Sequence, residues 1–198
     1  MKKILAIAAL LIGGSFASVA HADDIALGLP GYGGTGCPDG SASVTLSPDA
    51  KSLSILFDQY FVEAGGTTNK SFDRKSCNIA IPVHVPQGLS VSVLAIDYRG
   101  YNNIPTGAKT TFNVEYFFAG QKGPTFTKNF NGPIDKDYLI QNQLQAQALV
   151  WSACGADVNL RTNSSIRVQT TQNKEALATV DSEDVNAAII YALQWKKC

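Results

Sequence analysis

The chain has 198 residues, 45% of them hydrophobic, with 16 basic and 16 acidic side chains. That length suits one domain with a full hydrophobic core, and the balanced charge offers no basic stripe to release counterions from phosphate backbones, so nucleic-acid binding is not expected. Charged residues make up 16% of the chain, and Ser, Thr, Asn, Gln and Gly fill the other polar positions, as in extracellular proteins.

In chain order, the first 22 residues have the form of a secretion signal: Lys2 and Lys3, an apolar run from Ile4 to Ile12, then Ala20-His21-Ala22 as an A-x-A cleavage site. The apolar run is shorter than the roughly 20 residues a membrane-spanning helix needs. No cysteine stands at the cleavage point to carry a lipid. Cleavage before Asp23 would leave 176 residues with a net charge of about 2 negative. The expected location is secreted: extracellular, or periplasmic in a Gram-negative bacterium. The expected mature chain has no membrane span.

Asp23 to Gly40 reads as an irregular glycine-rich arm. Its run Gly31-Tyr32-Gly33-Gly34-Thr35-Gly36 lacks the Lys-Ser or Lys-Thr pair and the strand-to-helix setting of a phosphate loop. From Ala42 onward the dominant period is two, which predicts strands. They are expected at Val44 to Leu46, Leu53 to Phe57, Ile79 to Val83, Leu89 to Tyr98, Thr110 to Phe118, Thr125 to Phe130, Ala146 to Trp151, Val158 to Arg161, Ser165 to Thr171 and Ile189 to Trp195. Leu89 to Tyr98 is apolar at both parities, which predicts a central strand. Turn chemistry such as Pro86-Gln87-Gly88, Pro105-Thr106-Gly107 and Asn131-Gly132-Pro133 separates the strands. Only Asp135 to Ala148 could hold a helix. Short strands without long helices predict an all-β fold, an antiparallel β-sandwich of jelly-roll kind, as a single domain over residues 41–198.

Four cysteines behind an export signal predict two disulfides. Trp151-Ser152-Ala153-Cys154 and Trp195-Lys196-Lys197-Cys198 share one spacing, each ending a strand-like run. Similar strand ends can lie side by side. Of the three possible pairings this favours Cys154 with Cys198, leaving Cys37 with Cys77. Loops of this size make each bridge worth about 4 kcal/mol in the chain-entropy account. The cysteines lack the close pairs of zinc sites.

The order Gly34-Thr35-Gly36-Cys37-Pro38-Asp39-Gly40-Ser41, Leu53-Ser54-Ile55-Leu56-Phe57-Asp58, Cys77, Tyr98-Arg99-Gly100-Tyr101, Tyr116-Phe117-Phe118, Trp151 to Gly155 and Trp195 to Cys198 resembles the secreted proteins of domain-of-unknown-function family 4360. The resemblance covers nearly the whole mature chain. It implies a small secreted protein of bacteria or fungi and brings no catalytic residues with it.

Enzyme constellations are sparse. After cleavage His84 is the one remaining histidine, and flanking prolines place it at a strand edge. A histidine-rich zinc site is thereby excluded. Paired disulfides leave no thiol nucleophile. No catalytic residue, metal or cofactor is assigned. A carboxylate-based, glycosidase-like hydrolase is the rival reading, through Asp97 and Glu115. Asp181-Ser182-Glu183-Asp184 reads as a solvated acidic turn, with calcium binding as the second reading.

The best binding hint is Tyr98, Arg99, Tyr101 and Asn102, at a strand end running into a polar loop. There tyrosine faces could stack on sugars while Arg and Asn reach hydroxyls. The sequence therefore points to a secreted, non-catalytic binding or structural module for a cell-surface glycan or envelope component.

Overall fold

The computed structural model of the protein describes residues 26–49, 51–143, 149–171, 173–180 and 189–198. The expected export signal at 1–22 and the acidic turn at 181–184 lie outside the described residues. Period-two alternation shapes almost everything else. The strands are β1 (Ala26–Leu27), β2 (Gly31–Gly33), β3 (Ala42–Leu46), β4 (Ser52–Phe57), β5 (Phe61–Ala64), β6 (Phe72–His84), β7 (Leu89–Ile104), β8 (Lys109–Phe118), β9 (Thr125–Asn131), β10 (Ile134–Gln143), β11 (Val158–Gln169), β12 (Ala176–Thr179) and β13 (Ile189–Lys197). Among the described residues the only helical element is a 3-10 turn at Gly66–Thr68.

The fold is all-β, with two antiparallel sheets. Sheet A has the order β1-β6-β11-β8-β9, with β2 also on β6; sheet B has the order β3-β4-β13-β7-β12-β5, with β10 on the other edge of β7. Each strand buries alternate residues. Ile55, Ile96, Tyr98, Ile189 and Tyr191 from sheet B meet Ile81, Phe112, Leu160 and Ile166 from sheet A in one core, all essentially inaccessible. Burying such a side chain is worth about 1.5–3 kcal/mol, which fixes the register of every strand.

The structure reassigns several segments. β7 is apolar at both parities because it changes parity midway. Its pairing with β13 passes from Ala192–Ala95 to Leu193–Val93, skipping Leu94. This β-bulge turns Leu94 outward, 43% exposed, and keeps Val91, Val93, Ile96 and Tyr98 in one core. The strand is central, as expected, but only one of its faces meets the core.

Asp135 to Gln143, the one candidate helix, is strand β10, paired with β7 from Ile134–Ile104 to Gln143–Ala95. Tertiary pairing of Tyr138 and Ile140 with the core edge outweighs local propensity there. Residues 144–148 of that segment lie outside the described residues. Of the expected strand Ala146 to Trp151, Trp151 forms a lone bridge with Ser92.

The two strands expected around 158–171 are one strand, β11. Thr162 and Ser164, in the gap between the two expected strands, point inward and are satisfied inside the core by the hydroxyls of Tyr191 at 2.5 Å and Tyr60 at 3.0 Å. The glycine-rich arm also pairs in part. β1 and β2 line the edge of β6, and the Gly28 and Gly36 amides donate to the Pro82 and Ser76 carbonyls at 2.8 Å. At Gly34 (φ +138°) an added Cβ would lie 2.2 Å from the Ser76 carbonyl oxygen, so only glycine permits this approach.

Both disulfides form as the tryptophan spacing suggests, Cys37–Cys77 and Cys154–Cys198, with Cα separations of 5.2 and 6.0 Å. The first is buried and ties the arm to β6. The second is exposed and closes the end of β13 onto the segment after Trp151.

Candidate functional site

The outer face of sheet A carries two adjoining hollows. β6, β11, β8 and β9 are long, and strand spacing makes their combined breadth about 14 Å. Their outward positions align in rows across the sheet. Asn78, Asn163, Glu115 and Thr125 form one row, Ser76, Ser165, Asn113 and Thr127 the next, and Arg74, Arg167, Thr111 and Asn129 a third. Short side chains at the centre and longer ones at the ends hollow the face into a trough. Ser165 faces outward yet is only 8% exposed, so it lies on the floor.

The main groove has a volume of about 540 Å³ and is lined by Arg74, Ser76, Asn78, Glu115, Asn163 and their neighbours. A second hollow of about 270 Å³ continues it past Asn78 and Asn163 to Arg161 and the β2 edge at Tyr32. At the opposite end stands Phe72, 55% exposed, with the Arg167 guanidinium 5.3 Å from its ring centroid.

Hydrogen bonds along the rim are pre-set. Thr127 and Thr111 donate to the amide oxygens of Asn113 and Asn129 at 2.7 and 2.8 Å, leaving the amide N–H groups of both asparagines outward. Among the described residues Asn78 and Asn163 make no side-chain hydrogen bond, so each has a donor and an acceptor for a ligand.

The residues singled out from sequence fall on two sides of β7. Because β7 continues to Ile104, the expected loop is strand. Tyr98 and Asn102 point inward with no exposed surface, and both polar side-chain atoms of Asn102 are buried without partners. Tyr98 packs on Phe112 and Phe126 at 5.3 and 5.5 Å between ring centroids. Arg99 and Tyr101 point outward on sheet B. The Tyr101 hydroxyl donates to Asp135 at 2.5 Å, and its amide donates to the Thr179 hydroxyl at 3.0 Å. Tyr98 and Asn102 therefore cannot share a surface with Arg99 and Tyr101. Gly100 between them is required: a Cβ there would lie 2.3 Å from the Thr179 carbonyl oxygen, which accepts the Tyr138 hydroxyl.

The carboxylates of the hydrolase reading separate as well. Asp97 lies on the outer face of sheet B, between Ile190 and Gln141, and Glu115 on the outer face of sheet A, between Asn163 and Thr125. The whole core stands between them, so they cannot flank one bond. His84 is on a rim of sheet A with its Nδ1 2.7 Å from Asp157. Among the described residues no group of three or more His, Cys, Asp or Glu is placed to hold a metal.

Inside the sandwich, burial raises the phenols of Tyr98, Tyr191 and Tyr60 well above their ordinary value and pushes Tyr116 up to about 12. These groups hold the sheets apart and do not reach the trough. A further groove of about 520 Å³ lies at the β5–β12 end, but its ionisable lining is Glu63 and Glu175, with no cation or aromatic ring.

The trough residues escaped the sequence reading, although one signal for them is present. Once β11 is taken as a single strand, its outward positions Asn159, Arg161, Asn163, Ser165, Arg167 and Gln169 contain no apolar residue. Splitting it at Thr162 and Ser164 hid that row.

Fold and surface together define a disulfide-stapled, two-sheet β-protein with an open polar face. The chain belongs to the DUF4360 family, a domain of unknown function, which it matches over residues 23–198. It is 40% identical over 169 residues to an uncharacterized secreted protein of Arthroderma benhamiae, covering 84% of this chain and 69% of that one. The protein is secreted. No helix among the described residues is long and apolar enough to cross a membrane. A solved carbohydrate-binding module, TmCBM61 in complex with β-1,4-galactotriose, aligns over 85% of this chain and 88% of that one. The identity is 10% and the TM-score 0.27, too distant to transfer a site or a ligand.

Proposed function

We propose that the protein is a non-catalytic glycan-binding module whose binding surface is the outer face of sheet A. The observation that carries this reading is the trough itself: rows of amide and hydroxyl side chains on four long strands, with Phe72 at one end and Ser165 on the floor. Sugar hydroxyls both donate and accept, and the free amides of Asn78 and Asn163 do the same. The exposed ring of Phe72 offers an apolar platform for the C–H face of a sugar. A solvated antiparallel sheet is ordinarily polar on its outer side. A groove with unengaged amides over its floor goes beyond that, because convergent polar groups in a concavity are the form of a ligand site.

The test is retention of the mature protein in native gels or columns carrying polysaccharides. Binding to at least one polysaccharide is expected, with loss in Asn78→Ala/Asn163→Ala while the unfolding midpoint holds. Retention untouched by that double substitution would remove this face as the site. Hydrolysis of a retained glycan would contradict the non-catalytic reading.

A further inference from the structure

The trough also carries an excess of basic side chains. By strand alternation its outward positions carry Arg74, Lys109, Arg161 and Arg167 against one carboxylate, Glu115. Arg74 and Arg167 stand directly opposite each other on β6 and β11. Like charges in that position destabilise a sheet. Among the described residues no carboxylate lies within ion-pair distance of Arg74, Arg161 or Arg167, and Arg167 is held only by Gln169, at 3.3 Å, and the Phe72 ring. Two arginines opposite each other in register, Arg74 lining the groove and Arg167 beside Phe72 at its end, neither committed to any acid, leave a gap in the charge pattern that an anion would fill.

We infer that the ligand of this face is an acidic polysaccharide, one whose sugars carry carboxylates, held at the Arg74–Arg167 pair and again at Arg161. The inference rests on the glycan reading of the trough. Guanidinium presents planar paired donors that match a carboxylate. Arg161 and Arg167 are six residues apart on β11, about 20 Å along the strand. Asn163 and Ser165 lie between them. This spacing suits a polymer with repeated charges better than a single small anion, and the intervening amide and hydroxyl suit the sugar hydroxyls between those charges. Phe72, under Arg167, adds a stacking surface beside the first charge. The opposite face of the sandwich, with Asp97, Asp135, Asp137 and Glu63 against Arg99 and Lys196, would repel the same polymer and so orient it.

The experiment compares polygalacturonate with its methyl ester, which keeps the backbone and removes the charge, and includes dextran sulfate as a polyanion of different geometry. Polygalacturonate should bind about tenfold more tightly than the ester, as expected for one or two charge-assisted contacts. The preference should disappear in Arg74→Gln/Arg167→Gln and shrink with added salt. Equal binding of acid and ester, or equal binding of dextran sulfate, overturns the inference. If the ester or a neutral glycan binds and Asn78→Ala/Asn163→Ala abolishes it, the glycan site stands and only the acidic ligand is lost. If no polysaccharide is retained, both readings fall. Unchanged unfolding midpoints in the Arg→Gln variant separate lost recognition from lost structure.

Discussion

The two outer faces of the sandwich are built from the same kind of strand and differ in what their outward positions carry. Sheet A presents arginines, asparagines and serines around a trough. Sheet B presents carboxylates, a Tyr101–Asp135 contact, and apolar residues such as Leu94 and Leu139, which is 53% exposed. Nearer its end the Lys196 ammonium sits 4.2 Å from the Trp151 ring centroid. Summed over the chain the charges cancel. Net charge therefore conceals a segregation that strand alternation makes visible, because every second residue of β11 goes to one face. A basic stripe absent from the composition is present on the fold.

This contrast depends on both sheets standing on one intact core, and alkali should break that support most severely. Tyr60, Tyr98 and Tyr191 are raised by burial, and Tyr116 reaches about 12 for the same reason. In the unfolded chain a phenol ionises near pH 10, while in the fold these stay neutral. Their stabilisation is complete below about pH 10 and is lost as pH rises toward the folded values. Each costs roughly 1.4 kcal/mol per pH unit across that window, so the three most strongly raised together cost about 4 kcal/mol per unit. Urea midpoints at pH 9, 10 and 11 should fall steeply after pH 10. A flat profile would mean these phenols are solvated and the core between the faces is not as described.

Within β7 the inward and outward sets should part by several kcal/mol. Tyr98→Ala removes a ring that stacks on Phe126 and meets Phe112 edge-on, and should cost about 3–5 kcal/mol in urea unfolding. Tyr101→Ala, one inter-residue step from the opposite side, should cost under about 1.5 kcal/mol, since its hydroxyl contact is exposed. Similar losses at the two positions would contradict the parity of the strand beyond the Leu94 bulge.

The disulfides divide the same way. Replacing Cys37 and Cys77 by serine removes the covalent tie between the arm and β6, leaving only the β1 and β2 pairing, and buries two hydroxyls, and should cost up to about 4 kcal/mol. The exposed Cys154–Cys198 bridge closes a loop of similar length, with a sequence separation of 44 against 40, so chain entropy alone would make it equal. Its serine variant should cost less, because the terminus it secures is solvated and retains the β13 ladder on β7. Equal losses, read from paired urea curves, would show that loop closure outweighs burial.

What the sequence disclosed and what it withheld follow from the range of the interactions involved. Alternation in Leu53 to Phe57 and Thr110 to Phe118 marks strands because each buried residue has its cue within two positions. The tryptophan–cysteine spacing revealed the disulfide pairing for the same local reason. The bulge at Leu94 has no such cue, since it exists only against Ala192 and Leu193 of β13. The expected break between Arg161 and Ser165 does not exist because the tyrosines that satisfy Thr162 and Ser164 inside the core are 29 and 104 residues away in sequence. The proposed binding surface was the least legible part. Its rows join β6, β11, β8 and β9, and tyrosines in one short segment drew attention to a strand whose inner half is core.

The smallest effect on stability gives the sharpest comparison of the two faces. Asn163→Ala on sheet A and Leu139→Ala on sheet B both truncate an outward side chain on a paired strand, so each should change the unfolding free energy by no more than about 0.5 kcal/mol. Binding should divide them completely. Asn163 borders both hollows of the trough, so its loss removes a donor and an acceptor from the centre of any bound chain. Leu139 lies beside Arg99, across the core from that surface. Polysaccharide retention should therefore weaken several-fold in Asn163→Ala and stay unchanged in Leu139→Ala. The reverse pattern would place recognition on sheet B, among Arg99 and Tyr101, where the local sequence first suggested it.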